Sequence, residues 1–132
     1  METNPIVLVV DDEPFIRRAL TFVLNREGYQ TAVASDGDEA LAKMRELKPR
    51  LVFLDVMMPR KNGFDVCAEA RQDPEIRDIH IILLSARSQE EDRLRGLNLG
   101  ANEYMTKPFS PAQILDRVRD VVGWPEATPV VR

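Results

Sequence analysis

The stretch IVLVVDDE (residues 6–13) places five apolar residues directly before three carboxylates. All of the apolar residues except Leu8 are β-branched, and no polar residue alternates with them. A continuous apolar run of this kind is typical of a strand that is buried on both faces. The adjacent like charges repel one another, and burial raises the cost of that repulsion. The stretch therefore indicates a central strand that ends either in a solvated cap or in a site that offsets the negative charge.

Four more apolar runs follow the first, and the segments between them have apolar residues at helical spacing. The runs cover residues 30–34, 51–55, 80–85 and 103–107. Regular alternation of strands and helices predicts a doubly wound α/β fold, with helices on both faces of a parallel sheet. We expect one domain over residues 1–123. The two prolines in residues 124–132 indicate an irregular C-terminal tail or the start of a linker.

Capping residues indicate where the helices begin. Three pairs have the spacing of a capping box: Asp36 with Glu39, Ser88 with Glu91, and Ser110 with Gln113. Pro14 suits the first turn of the first helix, because a helix start does not need its missing N–H. The third helix is expected from about Asn62 to Asp73, and Gly100 is a candidate to end the fourth.

Composition and charge exclude several classes of function. Of the 132 residues, 44% are hydrophobic and 30% are charged, which is ordinary for a globular protein. The net charge of −4 argues against nucleic acid or an anionic membrane as a direct partner. The start METNP is too short and polar for a signal peptide, and Cys67 is the only cysteine. We expect a cytoplasmic protein without a cysteine-based metal cluster.

Polar residues follow the predicted strands at the edge where ligands collect in doubly wound folds. Asp11 and Asp12 follow the first strand, and Asp55, Ser85 and Lys107 end the third, fourth and fifth. Carboxylates are hard oxygen ligands that suit Mg²⁺, and a divalent cation would offset the repulsion among them. Lys107 would hold a phosphoryl oxygen or pair with Asp55.

A structural role is the competing interpretation for each of these residues. Asp12 is a candidate cap for the first helix, Ser85 alone is an ordinary strand-end hydroxyl, and Tyr104 is a candidate packing residue. Asp55 is harder to explain in this way, because it follows the apolar residues LVFL and is expected to be largely buried. A buried acid usually has a partner or a function.

Four motifs together resemble the receiver domain of two-component response regulators. They are VVDDE (9–13), LDVMMPRKNG (54–63), LLSA (83–86) and KPF (107–109). The resemblance covers nearly the whole chain and includes the chemotaxis members of the family. It implies a flavodoxin-like (βα)5 fold whose five-stranded parallel sheet has the order 2-1-3-4-5.

The resemblance also implies roles for the strand-end residues. Asp55 is expected to be the phosphoacceptor. Mg²⁺, with Mn²⁺ as a substitute, is expected to bind Asp11, Asp12, Asp55 and the backbone carbonyl of Met57. Lys107 would contact the phosphoryl group, and the family carries a cis bond between this lysine and the next proline.

The implied activity is signalling by phosphoryl transfer. The donor would be a sensor histidine kinase or a phosphotransfer protein, and the only catalysis would be Mg²⁺-dependent self-phosphorylation and autodephosphorylation. Ser85 would bind the phosphoryl group, Tyr104 would turn, and the surface of helix 4, strand 5 and helix 5 would then bind an unidentified downstream protein. No output domain follows Val122, so we expect a single-domain regulator or a receiver cut from a longer one.

Three other classes are disfavoured. A haloacid dehalogenase-type phosphatase needs a second acid two residues after its nucleophile, where this chain has Met57. A flavodoxin or dinucleotide-binding protein needs a phosphate loop such as G-x-G-x-x-G after a strand, and none is present. A receiver that works without phosphorylation is disfavoured, because every residue of the acceptor site is present.

The expected assembly depends on charged residues in helices 4 and 5. In the transcription-factor receivers, charged residues on this surface pair two molecules symmetrically. Three positions match that set and three depart from it: Arg93, Glu103 and Arg117 match, whereas Asn98, Asn102 and Trp124 do not. Exposed ion pairs contribute only ~0–1 kcal/mol each. We therefore expect a monomer, or a weak homodimer that depends on phosphorylation.

Overall fold

The computed structural model describes residues 5–125, in which five strands alternate with five helices. In chain order the elements are β1 Ile6–Val10, α1 Pro14–Arg26, β2 Gln30–Ala34, α2 Gly37–Leu47, β3 Leu51–Asp55, α3 Gly63–Gln72, β4 His80–Ser85, α4 Glu90–Asn98, β5 Glu103–Thr106 and α5 Pro111–Val122. Of the predicted tail, residues 126–132 lie outside the described residues. No helix within the described range has the length and apolar character needed to cross a membrane.

The five strands form one parallel sheet in the order β2-β1-β3-β4-β5. This order confirms the fold class expected from the sequence. In the register of the sheet, Val10 lies beside Leu54, and Ser85 lies beside Thr106. The residues that follow these positions therefore meet at the carboxyl edge of the sheet, where Asp11, Asp55 and Lys107 are found.

The predicted bounds of the first four strands match those of the structure, whereas β5 ends at Thr106, one residue before the prediction. The backbone N–H of Lys107 still donates to the carbonyl of Ser85 at 2.7 Å. Pro108 follows and has no N–H to continue the ladder, so the strand stops there.

Of the three predicted capping boxes, the one at α5 forms in full, and α3 starts next to Asn62 as expected, with a capping box that was not predicted. Ser110 and Gln113 form the complete capping box of α5, and Asn62 begins α3 with a capping box to Asp65. Asp36 accepts the N–H of Glu39 at α2, but the Glu39 carboxylate accepts the N–H of Ser35 instead of closing a box. These contacts fix the ends of the helices without long-range partners.

The capping box predicted for α4 from Ser88 and Glu91 is wrong. The helix begins at Glu90, and its N-cap residue Gln89 makes no side-chain cap. All three residues of the first turn, Glu90, Glu91 and Asp92, are acidic. Negative side chains in this turn interact favourably with the positive end of the helix dipole, which stabilises the helix start by another route.

The sheet is covered by an apolar layer on each face. Alternate residues of β3 point to opposite layers, so Phe53 packs with α1 and α5 while Leu54 packs with α2 and α3. All five residues of β3 are buried. Burial on both faces explains why β1 and the first four residues of β3 are all apolar. The acidic residues Asp11 and Asp55 come directly after these apolar residues, at the carboxyl edge of the sheet.

Gly63 allows α3 to begin directly against the end of β3. A Cβ atom at this position would lie 2.5 Å from the backbone carbonyl oxygen of Asp55, which no side chain can tolerate. The N–H of Gly63 also donates to the carbonyl of Val56 at 3.0 Å. The loop between β3 and α3 is thus closed at its base, immediately beside Asp55.

Candidate functional site

Three carboxylates meet at the carboxyl edge of the sheet, as the sequence predicted. Asp11, Asp12 and Asp55 each offer one oxygen atom, and these oxygens all lie within 4.8 Å of one another. Asp11 is fully buried and Asp55 is 4% exposed, whereas Asp12 is exposed. The adjacent positions of β1 and β3 in the sheet bring the three together, although Asp55 is distant from the pair in sequence.

Lys107 supplies the positive charge between the two buried acids. Its Nζ lies 3.0 Å from Oδ2 of Asp11 and 3.3 Å from Oδ1 of Asp55. The peptide bond from Lys107 to Pro108 is cis, which confirms the expectation drawn from the resemblance. One ammonium group thus faces two buried carboxylates and the exposed carboxylate of Asp12, so the site holds excess negative charge.

Burial is the main reason why the pKa of Asp55 is raised to about 6, and the negative charge of Asp11 adds to the effect. The charge and hydrogen bond of Lys107 and the N–H of Met57 oppose the shift but do not cancel it. For Lys107, burial lowers the pKa, but the hydrogen bond to Asp11 and the charge of Asp55 outweigh burial and raise it. The lysine therefore stays charged while Asp55 titrates near neutral pH.

Asp11 and Asp12 are held differently. Oδ1 of Asp11 accepts the backbone N–H of Glu13 at 2.9 Å, and Oδ2 accepts from Lys107. The N-cap of α1 is Glu13, which makes no side-chain cap, so Asp12 does not cap this helix. Within residues 5–125, no N–H or O–H group donates to the carboxylate of Asp12. Asp12 thus presents its oxygens to the site.

This donor set fits a divalent cation. Oxygen ligands from several carboxylates are what Mg²⁺ prefers, and a cation among them removes the repulsion that Lys107 only partly offsets. The receiver family that the sequence resembles binds Mg²⁺ in such an acidic pocket. Met57 lies beside this pocket in the loop after β3, where its N–H is 3.4 Å from Oδ1 of Asp55 and the residue is 53% exposed.

Ser85 and Tyr104 lie on neighbouring strands next to the β4–α4 loop. Ser85 is buried at the end of β4, and its Oγ accepts the N–H of Arg87 at 3.0 Å. The hydroxyl of half-buried Tyr104 donates to the backbone carbonyl of Arg87 at 2.8 Å. Both predicted switch residues therefore contact the same residue of this loop, Arg87.

Sequence reasoning did not predict the contacts that two arginines, Arg17 and Arg87, make near the site. Nη1 of Arg17 donates to the backbone carbonyl of Asp11 at 2.7 Å, and Nη1 of Arg87 lies 3.8 Å from Oδ1 of Asp92 in α4. Neither contact follows from a periodic pattern, because a long side chain can reach several backbone or carboxylate acceptors. The only sequence signal for the role of Arg17 was its position one turn into the helix that follows the acidic residues 11–13.

Relatives of known sequence share this arrangement of motifs. A sequence profile of the response regulator receiver domain matches residues 7–119. The alkaline phosphatase synthesis transcriptional regulatory protein PhoP of Bacillus subtilis is 45% identical over 119 residues, covering 90% of this chain and 49% of PhoP. The DNA-binding response regulator MtrA of Mycolicibacterium smegmatis is 46% identical over 113 residues, covering 86% of this chain and 48% of MtrA. The chain thus spans about half the length of these relatives.

Solved structures share the fold. The chemotaxis protein CheY4 of Vibrio cholerae superposes with a TM-score of 0.84 at 31% identity, covering 90% of this chain and 99% of CheY4. The receiver domain of the Francisella response regulator 1452 has the same TM-score at 33% identity, covering 90% of this chain and 97% of that domain. With the profile match and the acidic site, these likenesses show that the chain belongs to the receiver domain family of two-component response regulators.

Proposed function

We propose that Asp55 accepts a phosphoryl group from a phosphohistidine. The observation that carries this proposal is the position of Asp55, which ends a buried central strand with Lys107 Nζ at 3.3 Å and two further carboxylates within 4.8 Å. Response regulators receive their phosphoryl group from histidine kinases. The particular donor, a sensor kinase or a phosphotransfer protein, is part of the proposal.

In the proposed transfer, a carboxylate oxygen of Asp55 attacks the phosphorus in line with the bond to the leaving imidazole. The phosphorus–nitrogen bond breaks, and its electron pair stays with the imidazole nitrogen. Lys107 is already placed between Asp11 and Asp55, so its ammonium can hold an oxygen of the incoming group. Ser85 offers its hydroxyl from the end of β4 for a further hydrogen bond.

Phosphoryl transfer requires positive charge close to the transferred group, whereas the three carboxylates of the site are negative. A bound Mg²⁺ would supply that positive charge. Asp12 and Asp55 would hold the ion directly, Asp11 partly through water, and the backbone carbonyl of Met57 would complete the protein ligands. Mn²⁺ is expected to substitute, because it takes the same oxygen donors.

The proposed output is a change in the surface formed by α4, β5 and α5. Ser85 and Tyr104 both contact Arg87, so a phosphoryl group that draws Ser85 inward would also alter the partner of the Tyr104 hydroxyl. The phosphoryl group then shifts an existing equilibrium by binding one arrangement of this loop better. We propose that the altered surface binds a downstream protein.

We propose that the receiver domain ends at Gly123, which follows α5 in a conformation with φ of 89°. The net charge of −4 supports a receiver that does not itself bind nucleic acid, whatever the output of the whole protein.

The single cysteine is buried, which accords with a cytoplasmic protein that needs no disulfide. Receiver domains are signalling proteins rather than classical enzymes.

Labelling with acetyl phosphate and Mg²⁺ tests the assignment of Asp55. The wild-type protein should gain one phosphate by intact mass, and the Asp55→Asn variant should gain none. The Asp116→Asn variant is a matched control, because it removes one exposed carboxylate from α5, away from the site. A labelled Asp55→Asn protein would show that the acceptor is another residue.

A further inference from the structure

The loop that carries Asp11 and Asp12 is short and lacks the usual helix cap. It runs from Val10, the last residue of β1, to Pro14, the first residue of α1. Glu13 occupies the N-cap position without a side-chain cap, and the first turn of α1 contains no acidic residue. Asp12 is adjacent and belongs to a residue type that is favoured at caps. Its carboxylate nevertheless accepts no N–H group of the helix within the described residues, and one of its oxygens lies within 4.8 Å of an oxygen of Asp55.

Arg17 makes a side-chain contact with the backbone of this loop, in addition to the hydrogen bond from the N–H of Glu13 to Oδ1 of Asp11. Its backbone N–H donates to the carbonyl of Glu13 at 3.2 Å, and its guanidinium reaches back to the carbonyl of Asp11 at 2.7 Å. A hydrogen bond from a charged donor is about twice as strong as one between neutral groups. The backbone N–H of Asp11 donates to Ala34 in β2 at 3.2 Å, so both backbone groups of Asp11 are held.

We infer that Arg17 is a positioning residue for the cation site, and that it holds the β1–α1 loop so that Asp12 remains available to the ion. This inference rests on the proposed Mg²⁺ site. With the carbonyl of Asp11 anchored by Arg17, the loop needs no cap from Asp12, whose oxygens would otherwise be turned to backbone N–H groups. Arg17 thereby acts on the ion through the backbone and does not contact it.

The charge of Arg17 has the opposite effect on cation binding. A guanidinium close to the acidic cluster repels a divalent cation, so removing this charge alone would strengthen Mg²⁺ binding. Removing the bond to Asp11 would weaken binding, because the ligands lose their fixed arrangement. The direction of the change in affinity therefore separates a positioning role from a purely electrostatic one.

Isothermal titration with Mg²⁺ alone, in protein freed of metal with EDTA, tests this inference. We expect the Arg17→Ala variant to bind Mg²⁺ about tenfold more weakly than the wild type, the size of effect seen when groups that orient metal ligands are removed. Arg17→Lys keeps a cationic donor and should recover part of the affinity. Arg18→Ala is the matched control, since the neighbouring arginine is exposed on the same turn and its loss removes equal charge.

Arg18→Ala should leave the affinity unchanged or slightly stronger. An Arg17→Ala protein that keeps its circular dichroism spectrum and binds Mg²⁺ as tightly as the wild type, or more tightly, would overturn the inference. If Arg17→Ala does not fold, Arg17→Met takes its place, because methionine keeps an unbranched side chain without the donor, and wild-type affinity in that variant overturns the inference as well. The Asp12→Asn variant tests the cation site itself, because the site fails if this change leaves Mg²⁺ binding intact, whatever Arg17 does.

Discussion

The guanidinium of Arg117 holds the carboxylate of Glu103 with two hydrogen bonds, 2.5 Å from Nε to Oε1 and 2.9 Å from Nη2 to Oε2. The imidazole of His80 also contacts this carboxylate, at 2.8 Å. Burial alone would raise the pKa of Glu103, but the hydrogen bonds from Arg117 and His80 outweigh it and lower the pKa. Glu103 is thus ionised and fully engaged within its own chain.

These contacts bear on assembly through the surface of α4, β5 and α5. Arg93 pairs with Glu90 one turn earlier in α4, so all three residues that match the dimer-forming set already have partners in the same molecule. A symmetric dimer would have to exchange them, and exposed ion pairs contribute only ~0–1 kcal/mol each. We predict a monomer without phosphorylation and at most a weak dimer with it. Sedimentation velocity with and without beryllofluoride checks this, and a tight dimer in both conditions would contradict it.

The Asp55→Asn variant should be more stable than the wild type in EDTA at about pH 8. The folded-state pKa of Asp55, about 6, lies above its ordinary value of 3.8, so ionising Asp55 disfavours folding. The free-energy cost of ionising Asp55 is absent below pH 3.8, grows between pH 3.8 and about pH 6, and reaches its full size above pH 6. The gain from asparagine should be about 1–3 kcal/mol at pH 8 and about a third of that at pH 4.5. Urea unfolding at both pH values measures it, with Asp116→Asn as control, and a gain that does not change with pH would contradict the assignment.

Mg²⁺ binding should weaken as the solution becomes more acidic. A proton on Asp55 competes with the cation, and burial together with Asp11 raises the pKa of Asp55 to about 6. With one competing proton of this pKa, the apparent affinity should fall roughly fourfold between about pH 7.5 and pH 5.5. Calorimetric titration across this range provides the measurement, and the Asp12→Asn variant should bind weakly throughout. An affinity that stays constant down to pH 5.5 would show that Asp55 is not protonated in competition with the ion.

The phosphorylated protein should lose its label slowly compared with chemotaxis-type receivers. Met57, 53% exposed, and Arg87, whose side chain is 54% exposed, flank the acceptor, and neither can act as a general base for an attacking water. Their long side chains can also shield the phosphoryl group. Met57→Ala should therefore speed the loss of label several-fold. The measurement is the rate of phosphate release after the phosphodonor has been removed. Leu94→Ala, an exposed apolar residue on α4, is the control. Loss within seconds that Met57→Ala does not change would contradict this prediction.

Much of the fold was predictable because its signals are local. Continuous apolar runs gave the bounds of β1 to β4, and the caps at Ser110 and Asp36 lie within three residues of their partners. The start of α4 was predicted wrongly, because the segment SQEED (88–92) offers more than one polar residue at which a helix can begin. Acidic residues in the first turn favoured the later one.

The site was predictable as a set of residues but not as a set of contacts. The polar ends of parallel strands must meet at one edge, so Asp11, Asp55 and Lys107 could be placed together before the structure was considered. The hydrogen bond from Arg17 to the carbonyl of Asp11 could not be predicted, because it depends on the position of one flexible side chain. Arg71 is similar: its guanidinium joins the carbonyls of Arg77, Ile79 and Gly100 and the side chain of Asn102, which lie in two different loops.

Because Gly63 lies in close contact with Asp55, the side chains of the loop after β3 can vary without moving the end of the strand. The base of this loop is fixed by the hydrogen bond from the N–H of Gly63 to the carbonyl of Val56 and by the absence of a Cβ atom, so the backbone at Asp55 is held directly against the start of α3. Side-chain substitutions in residues 57–62, among them at the exposed Met57, are therefore expected to lengthen or shorten the life of the proposed phosphorylated state while the acceptor stays in place. On the proposed function, the duration of a signal and the ability to receive it would be set by separate parts of one short segment.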